Sequence, residues 1–487
     1  MQNPLIKITK HSSIFALGNV LTKSVSFLLF PLYTNFLAPK DYGRLEILMV
    51  TMQILLIFCG FGVGSGLRRV LLYDTKNKDE QKLAVTSAAI FMFVTSSIIF
   101  GLTFYLLEPL VLTFSSDLKA VGLFRLAMVV GFLNANSIVP QQIYLVEFQS
   151  TRFTAINLGK FSLTLCLNIY FVAILLLAVQ GILFSQIISA ILALVVNLYF
   201  IRSYILFAFS TRFMKKCLRV GLPFMPAALA LWIITSMDRW FLAHYWNEHE
   251  IGLYAVGFRI ALILQFILRE PFEKNWPSIY FRLAKQPNAQ KQLSSIFTYY
   301  VLAASSIGLA LAVFAQPIIF GMTTVSFHPA WRIVPILLIG ILFRGMADVL
   351  GVGIGISGKT EFYAIAAAVA AVANLFLNFI LVPKSGIMGA SIATAISFFI
   401  MQIVVYLFSN RLYSIQYEFK RLSKILLAVT IAAFLKFNSP WVTGKLGLGV
   451  SFFSIFSFAL ILWGINFFQK DELMEVKRLL KFKKVAK

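Results

Sequence analysis

Charged residues are scarce in this sequence. Asp, Glu, Lys and Arg make up only 13% of its 487 residues, whereas 59% are hydrophobic. Soluble domains have about 25% charged and about 45–50% apolar residues. Because a water-soluble fold must cover its surface with polar groups, this composition excludes a soluble protein. The excess apolar surface has to face lipid.

Residues that bind metals or carry redox chemistry are also few. The chain has only three cysteines and four histidines. Cys59, Cys166 and Cys217 lack the spacing of metal ligands, and His244 and His249 do not share a helical face. No Ser-His-Asp set or carboxylate pair can be placed in one compartment. We therefore predict no metal site, no cofactor and no enzymatic activity.

Acidic residues are outnumbered by basic ones, 19 to 43, which gives a net charge of +24. In a soluble protein this excess would suggest nucleic-acid binding. Here most Lys and Arg stand in short clusters between apolar segments, as the positive-inside rule predicts for cytoplasmic loops. The main clusters are Lys7 with Lys10, Arg68 to Lys82, Arg212 to Arg219, Arg282 to Lys291 and Lys477 to Lys487. We expect no nucleic-acid partner, and the charge bias places both termini in the cytoplasm.

Long apolar stretches fill most of the chain. A spanning helix needs about 20 predominantly apolar residues. By this measure the sequence predicts an all-α polytopic membrane protein with about fourteen transmembrane helices. They lie near residues 12–37, 43–66, 83–107, 121–146, 155–178, 182–204, 220–246, 251–276, 294–316, 332–355, 362–382, 387–409, 424–437 and 447–468. No outer loop exceeds about 15 residues, the upper range for an ordinary connection.

The two halves of the chain contain matching segments. Residues 149–155 align with 358–364, and Gly181-Ile182 aligns with Gly386-Ile387. Two further matches are Leu167-Asn168 with Leu377-Asn378, and Tyr42-Gly43 with the stretch Ile251 to Tyr254. The offset stays near 205–210 residues, or six predicted spans. An even number of spans keeps the two copies in the same orientation, so we predict a parallel repeat.

Residues Gly353 to Thr360 satisfy the phosphate-loop pattern G-x-x-x-x-G-K-[ST]. That loop needs a strand before it and a soluble sheet around it, whereas here spanning segments lie on both sides. We therefore interpret it as a cytoplasmic turn after a glycine-rich helix end. A second glycine run, Gly60 to Gly66, indicates close helix approach or bending.

Charges deep within apolar segments are the main candidates for a functional site, since a charge at bilayer depth is costly and usually faces a cavity or a partner. At about 1.5 Å of rise per residue, Lys23 and Arg344 lie near the centre of their spans. Arg259 lies deep in the eighth span, and Asp238 and Arg239 lie in the outer part of the seventh. Because Asp238 and Arg239 are adjacent in the chain, we expect them to face different ways.

These charges have structural alternatives. Asp348 lies one helical turn from Arg344, so that pair is as compatible with helix pairing as with cavity lining. The pairs Arg269/Glu273 and Glu270/Lys274 favour structural pairing. Since cations outnumber acids among the deep charges, a basic cavity would suit an anionic ligand such as a phosphate-bearing lipid. We predict Lys23, Arg239, Arg259 and Arg344 as substrate-binding residues.

The sequence resembles polysaccharide-unit flippases of the multidrug/oligosaccharidyl-lipid/polysaccharide flippase superfamily. The resemblance rests on Asn19 to Lys23, Phe30 to Asn35 and Asp41 to Gly43 in the first half. In the second half it rests on Gly221 to Pro223, Asp238-Arg239 and Gly252 to Tyr254. It covers nearly the whole chain, and its motifs are loose.

This resemblance implies two six-helix bundles around a central cavity, followed by two more helices. We accordingly expect a first bundle at 1–217, a second at 218–422 and a C-terminal region at 423–487. It also implies alternating access that carries an undecaprenyl-pyrophosphate-linked oligosaccharide to the outer leaflet for O-antigen or other surface polysaccharide. The expected partners are membrane lipids, this glycan lipid and polysaccharide polymerase or assembly proteins. Asp238 and Asp348 are candidates for coupling to H⁺ or Na⁺.

Three alternatives remain open from the sequence. A lipid II flippase would have the same architecture. A drug/cation antiporter would be expected to have an acidic cavity, and a membrane polymerase or ligase would need an extensive outer loop. The sequence does not identify the sugars, the coupling ion, the oligomeric state or the polysaccharide pathway.

Overall fold

The computed structural model describes residues 29–106, 118–206, 208–439 and 444–468, and within these ranges it contains helices and no strand. The α-helices are numbered here in chain order. They are α1 Pro39–Gly60, α2 Val63–Arg69, α3 Lys78–Leu106, α4 Leu118–Asn136, α5 Ile138–Val146, α6 Ser150–Asn168, α7 Ala178–Ile201, α8 Thr211–Gly221, α9 Met225–Tyr245, α10 Glu248–Leu264, α11 Glu270–Leu283, α12 Ala289–Met322, α13 Val334–Leu350, α14 Val352–Ser357, α15 Glu361–Leu412, α16 Phe419–Phe437 and α17 Gly444–Gly464. Wider π-helical turns occur at Val70–Asp74, Ile169–Ile174 and Gln265–Arg269.

Eleven helical segments of the described chain are long and apolar enough to cross a membrane. They coincide with the predicted spans from the second to the twelfth and with the fourteenth, because the 52-residue helix α15 holds two of these spans. It bends at Gly386, whose φ of 53° favours glycine. The all-α polytopic fold is therefore confirmed, with fourteen as an approximate number of spans.

Of the two remaining predicted spans, one is a described helix and the other lies mostly outside the described residues. The predicted thirteenth span is the helix α16, which falls outside the eleven segments. It carries four basic side chains, which explains its weaker apolar character. Most of the first predicted span, including Lys23, lies outside the described residues.

The glycine run after α1 produces both effects expected from its small residues. The helix is interrupted at Phe61 and Gly62, which have φ angles of 42° and 69°. Gly62 also meets helix α8, since a Cβ there would lie 2.1 Å from the carbonyl oxygen of Gly221. Gly66 makes the same close approach to Cys217. Small side chains thus allow α2 and α8 to pack backbone against backbone.

The segment that matches the phosphate-loop pattern is the end of a helix followed by a turn. Gly353 lies in α14, and its backbone N–H donates to Ser409 Oγ at 2.8 Å. Gly358 ends this helix with a left-handed φ of 72°. The interpretation as a turn after a glycine-rich helix end is confirmed.

Packing divides the described chain into two compact units. The first comprises the chain up to Val256 together with Met322–Pro329 and Ala367–Ser397. The second comprises Gly257–Gly321, Ala330–Ala366 and the chain from Phe398 onwards. The division into bundles at 217/218 and 422/423 stays a prediction.

Candidate functional site

The first buried charge cluster lies in the first compact unit, on the C-terminal half of α9. Asp238 is fully buried and Arg239 is 4% exposed. Arg239 Nη1 lies 2.9 Å from Asp238 Oδ1, and the Arg239 backbone N–H donates to the same oxygen. The expectation that these neighbours face different ways was therefore wrong. The long guanidinium arm folds back along its own helix, where Nη1 also donates to the carbonyl oxygen of Thr235.

Two further helices complete this cluster. Tyr254 on α10 donates its hydroxyl to Asp238 Oδ2, and its ring lies 5.0 Å from the Arg239 guanidinium carbon. The Tyr254 hydroxyl also lies 3.5 Å from Thr394 Oγ1 on α15. We call Asp238, Arg239, Tyr254 and Thr394 the Asp238 cluster. Tyr254 belongs to the Gly-Leu-Tyr stretch noted in the internal repeat, but the sequence alone did not indicate its hydrogen bond.

The second buried charge cluster lies in the second compact unit and is centred on Asp348 of α13. Arg269 Nε approaches Asp348 Oδ2 at 2.6 Å, and the Tyr363 hydroxyl donates to Asp348 Oδ1. Arg344 Nη2 lies 3.9 Å from the same carboxylate, and Arg269 Nη2 lies 3.1 Å from Glu273. We call Arg269, Glu273, Arg344, Asp348 and Tyr363 the Asp348 cluster. The predicted pairs Arg344/Asp348 and Arg269/Glu273 are both confirmed.

A local change of helix type positions Arg269. The π-helical turn Gln265–Arg269 joins α10 to α11, and Pro271 follows at the start of α11. Proline has no backbone N–H to continue the α-helical hydrogen bonds, so the chain widens just before it. This wide turn ends at Arg269, whose side chain reaches a carboxylate on α13, 79 residues away in sequence.

Arg344 is enclosed by the core of its unit. It is 8% exposed, and Nη1 lies 2.9 Å from the sulfur of Met401. The rings of Tyr363 and Phe398 lie 5.7 Å and 5.9 Å from its guanidinium carbon. Of the two interpretations open from the sequence, these contacts favour structural pairing over cavity lining.

The other two predicted substrate-binding cations are Arg259 and Lys23. Arg259 lies on α10 and is half-buried. Lys23 lies outside the described residues. Within the described part of the chain, no three His, Cys, Asp or Glu side chains come together as a metal site would require.

Each cluster holds matched charges, which defines what it can do chemically. The Asp238 cluster pairs one carboxylate with one guanidinium, and the Asp348 cluster pairs two with two. Protonation of a carboxylate, or binding of a cation to it, would weaken its hold on the arginine and change the net charge of a buried site. Such clusters can therefore link ion binding to helix rearrangement.

Comparison with solved structures shows which proteins share this fold. The fold is similar to that of the lipid II flippase MurJ in an inward closed conformation, with a TM-score of 0.75, 15% identity, and coverage of 92% of this chain and 98% of that one. It is also similar to an inward-facing multidrug resistance MATE family transporter of the MOP superfamily, with a TM-score of 0.64, 18% identity, and coverage of 80% and 94%. At these identities the likeness establishes the fold alone.

Sequence comparison identifies the family. The chain belongs to the polysaccharide biosynthesis protein family, whose sequence profile matches residues 8–273. It is also similar to a protein of the Lsg locus of Haemophilus influenzae, with 23% identity over 310 residues that cover 61% of this chain and 72% of the relative.

Proposed function

We propose that this protein flips undecaprenyl-pyrophosphate-linked oligosaccharide units across the bacterial inner membrane for O-antigen or other surface polysaccharide assembly. The observation that carries the proposal is the combination of the polysaccharide biosynthesis family with a flippase fold over 92% of the chain. A glycan on a pyrophosphate headgroup cannot cross hydrocarbon unaided because of its charge and its many hydroxyl groups. A polytopic protein with alternating access meets that need.

In this proposal Lys23 and Arg259 bind the pyrophosphate. Arg239 and Arg344 were predicted in the same role, and each is already engaged by a carboxylate of its cluster. We therefore assign Arg239 and Arg344 to holding Asp238 and Asp348, and these carboxylates to coupling H⁺ or Na⁺. In this assignment only Lys23 and Arg259 bind the phosphate groups of the headgroup.

A lipid II flippase is the second candidate, favoured by the similarity to MurJ. Lipid II likewise carries sugars on a polyprenyl pyrophosphate, so the two candidates share their headgroup chemistry and differ in the glycan. A drug/cation antiporter is the third, favoured by the MATE transporters among the similar folds. The family assignment supports the polysaccharide substrate over both alternatives.

Deletion of the protein tests the proposal. The deletion strain is expected to lose surface polysaccharide and to accumulate one lipid-linked oligosaccharide, whose sugars mass spectrometry of extracted lipids identifies. Accumulation of lipid II with intact surface polysaccharide would select the second candidate. Altered drug resistance with no lipid-linked intermediate would select the third.

Alanine variants test the cationic residues. Lys23→Ala and Arg259→Ala are expected to lower surface polysaccharide at least tenfold at unchanged membrane abundance. Arg282→Ala, which removes an exposed basic side chain, serves as the matched control and should retain wild-type polymer. Normal polymer from both deep variants would overturn their assignment.

The membrane orientation follows from the charge bias. We propose that both termini lie in the cytoplasm and that polymerase or assembly proteins receive the glycan on the outer face. An alkaline phosphatase fusion at the C-terminus should be inactive, because this enzyme folds only outside the cytoplasm. An active fusion would show that the C-terminus lies outside the cytoplasm and would contradict this orientation.

A further inference from the structure

The N-terminal ends of α1 and α10 touch through two glycines, and both ends lie in the first compact unit. A Cβ on Gly43 would lie 1.8 Å from the carbonyl oxygen of Glu248. A Cβ on Gly252 would lie 2.0 Å from the carbonyl oxygen of Pro39. Real Cβ atoms do not approach carbonyl oxygens this closely, so any larger side chain at either position would push the helices apart.

The contact is reciprocal. Each glycine lies four residues after the residue whose carbonyl oxygen the other glycine meets. The internal repeat aligns Gly43 with Gly252, so the two halves of the chain meet here through equivalent positions. A glycine at the point where two membrane helices cross allows their backbones to come together.

An ion pair lies beside the glycines. Arg44 Nε lies 2.8 Å from both carboxylate oxygens of Glu248. The two side chains are only 13% and 14% exposed. Lys40 approaches the same carboxylate at 4.0 Å with a side chain that is 62% exposed, and it contributes less because of that exposure. One residue of the pair follows Gly43, and the other supplies the carbonyl that Gly43 contacts.

The charge pattern places this contact on the outer face. The opposite ends of these spans carry basic residues, Arg68 and Arg69 at the end of α2 and Arg282 near the end of α11. Basic ends lie in the cytoplasm under the positive-inside rule. The N-terminal ends of α1 and α10 then face the outer side, where a flipped headgroup has to leave.

We infer that Gly43, Gly252 and the Arg44–Glu248 pair form a reversible outer closure that has to separate in every transport cycle. The inference rests on the proposed function. Two backbones in contact leave no passage for a glycan headgroup, so release to the outer leaflet requires them to part. An ion pair at the edge of this contact stabilises the closed state and can be replaced by water when the helices move.

Reversible cross-linking tests this closure. In a variant with Cys59, Cys166 and Cys217 replaced by serine, Arg44→Cys and Glu248→Cys are joined with a short bis-methanethiosulfonate reagent. Complete cross-linking, checked by mass spectrometry, is expected to lower transport of the lipid-linked glycan at least tenfold, and a reductant should restore it to within twofold. The control pair, Lys40→Cys with Arg44→Cys, lies on one helix, and its cross-linked and uncross-linked forms should transport at the same rate.

Transport at the uncross-linked rate by a fully cross-linked 44/248 pair would overturn the closure. This result is distinct from failure of the proposed function, in which the wild-type protein itself would show no glycan transport.

Charge exchange tests the ion pair itself. Arg44→Glu and Glu248→Arg are each expected to lower transport at least fivefold at matched abundance, and the double variant should recover to within about twofold of wild type. If the double variant transports no faster than either single variant, the ion pair is not part of the closure.

Discussion

The Asp238 and Asp348 clusters each contain a buried carboxylate inside a membrane protein, but they balance its charge in different ways. In the Asp238 cluster one carboxylate balances one guanidinium on the same helix, and both are almost completely buried. In the Asp348 cluster two carboxylates share two guanidinium groups, and one of these carboxylates, Glu273, is 49% exposed.

The difference lies in redundancy. When Asp348 loses its charge, Arg269 still has Glu273 at 3.1 Å, and Arg344 loses only a loose contact of 3.9 Å. When Asp238 loses its charge, Arg239 loses the carboxylate that it contacts at 2.9 Å and keeps the weaker electrostatic attraction of Glu46 on α1. Breaking a buried pair costs most when it leaves an uncompensated charge behind. The Asp238 cluster should therefore be the more sensitive of the two to any change of charge.

The largest effect is expected for Asp238→Asn. Removal of this charge should lower the free energy of unfolding by about 3–5 kcal/mol, because the buried Arg239 then loses the carboxylate that it contacts at 2.9 Å. Thermal unfolding of the purified protein in detergent, compared with wild type, measures it. A change within experimental error would show that water or lipid headgroups already compensate Arg239.

A double variant provides the control for that prediction. Asp238→Asn with Arg239→Leu removes both charges and should be more stable than Asp238→Asn alone, since no buried charge is left unpaired. Equal instability of the two variants would mean that the loss comes from packing around α9 rather than from the charge.

An intermediate effect is expected for Asp348→Asn. The loss should be about 2 kcal/mol, typical of hydrogen bonds to a charged group, because Glu273 still balances Arg269 and the contact of Arg344 with Asp348 is loose, at 3.9 Å. The same unfolding measurement applies. A loss as large as that of Asp238→Asn would remove the distinction between the two clusters.

The smallest effect is expected for Glu273→Gln, within about 1 kcal/mol, as is typical of an ion pair with an exposed partner. The variant becomes informative in combination, since Glu273→Gln should increase the effect of Asp348→Asn by removing the substitute partner. A double-mutant cycle measures this coupling. Strict additivity would show that Glu273 does not replace Asp348.

The sequence predicted the features that depend on local spacing. Apolar length placed the spans, and a separation of one helical turn indicated the pairs Arg344/Asp348 and Arg269/Glu273. The bond from Arg269 to Asp348 joins residues 79 positions apart and needed the wide turn before Pro271, so no local pattern contained it. The fold-back of Arg239 onto Asp238 depends on the length of its side chain, which a helical-face argument ignores.

The glycine contact between α1 and α10 is a second feature that the sequence alone could not predict. The internal repeat marked Tyr42-Gly43 and the stretch from Ile251 to Tyr254 as equivalent segments. It could not show that the two equivalent glycines touch, since that depends on how helices from the two halves cross. Repeats in a sequence indicate equivalent positions, and only the fold determines which of them meet.

The leaflet distribution of the lipid-linked glycan tests the account most directly. In spheroplasts of a strain that cannot polymerise its repeat units, a membrane-impermeant glycosidase reports the fraction of undecaprenyl-pyrophosphate-linked oligosaccharide on the outer leaflet. The account predicts that most of this lipid is accessible when the protein is present and that it is protected when the gene is deleted. Equal accessibility in the two strains would contradict a flippase function for this protein.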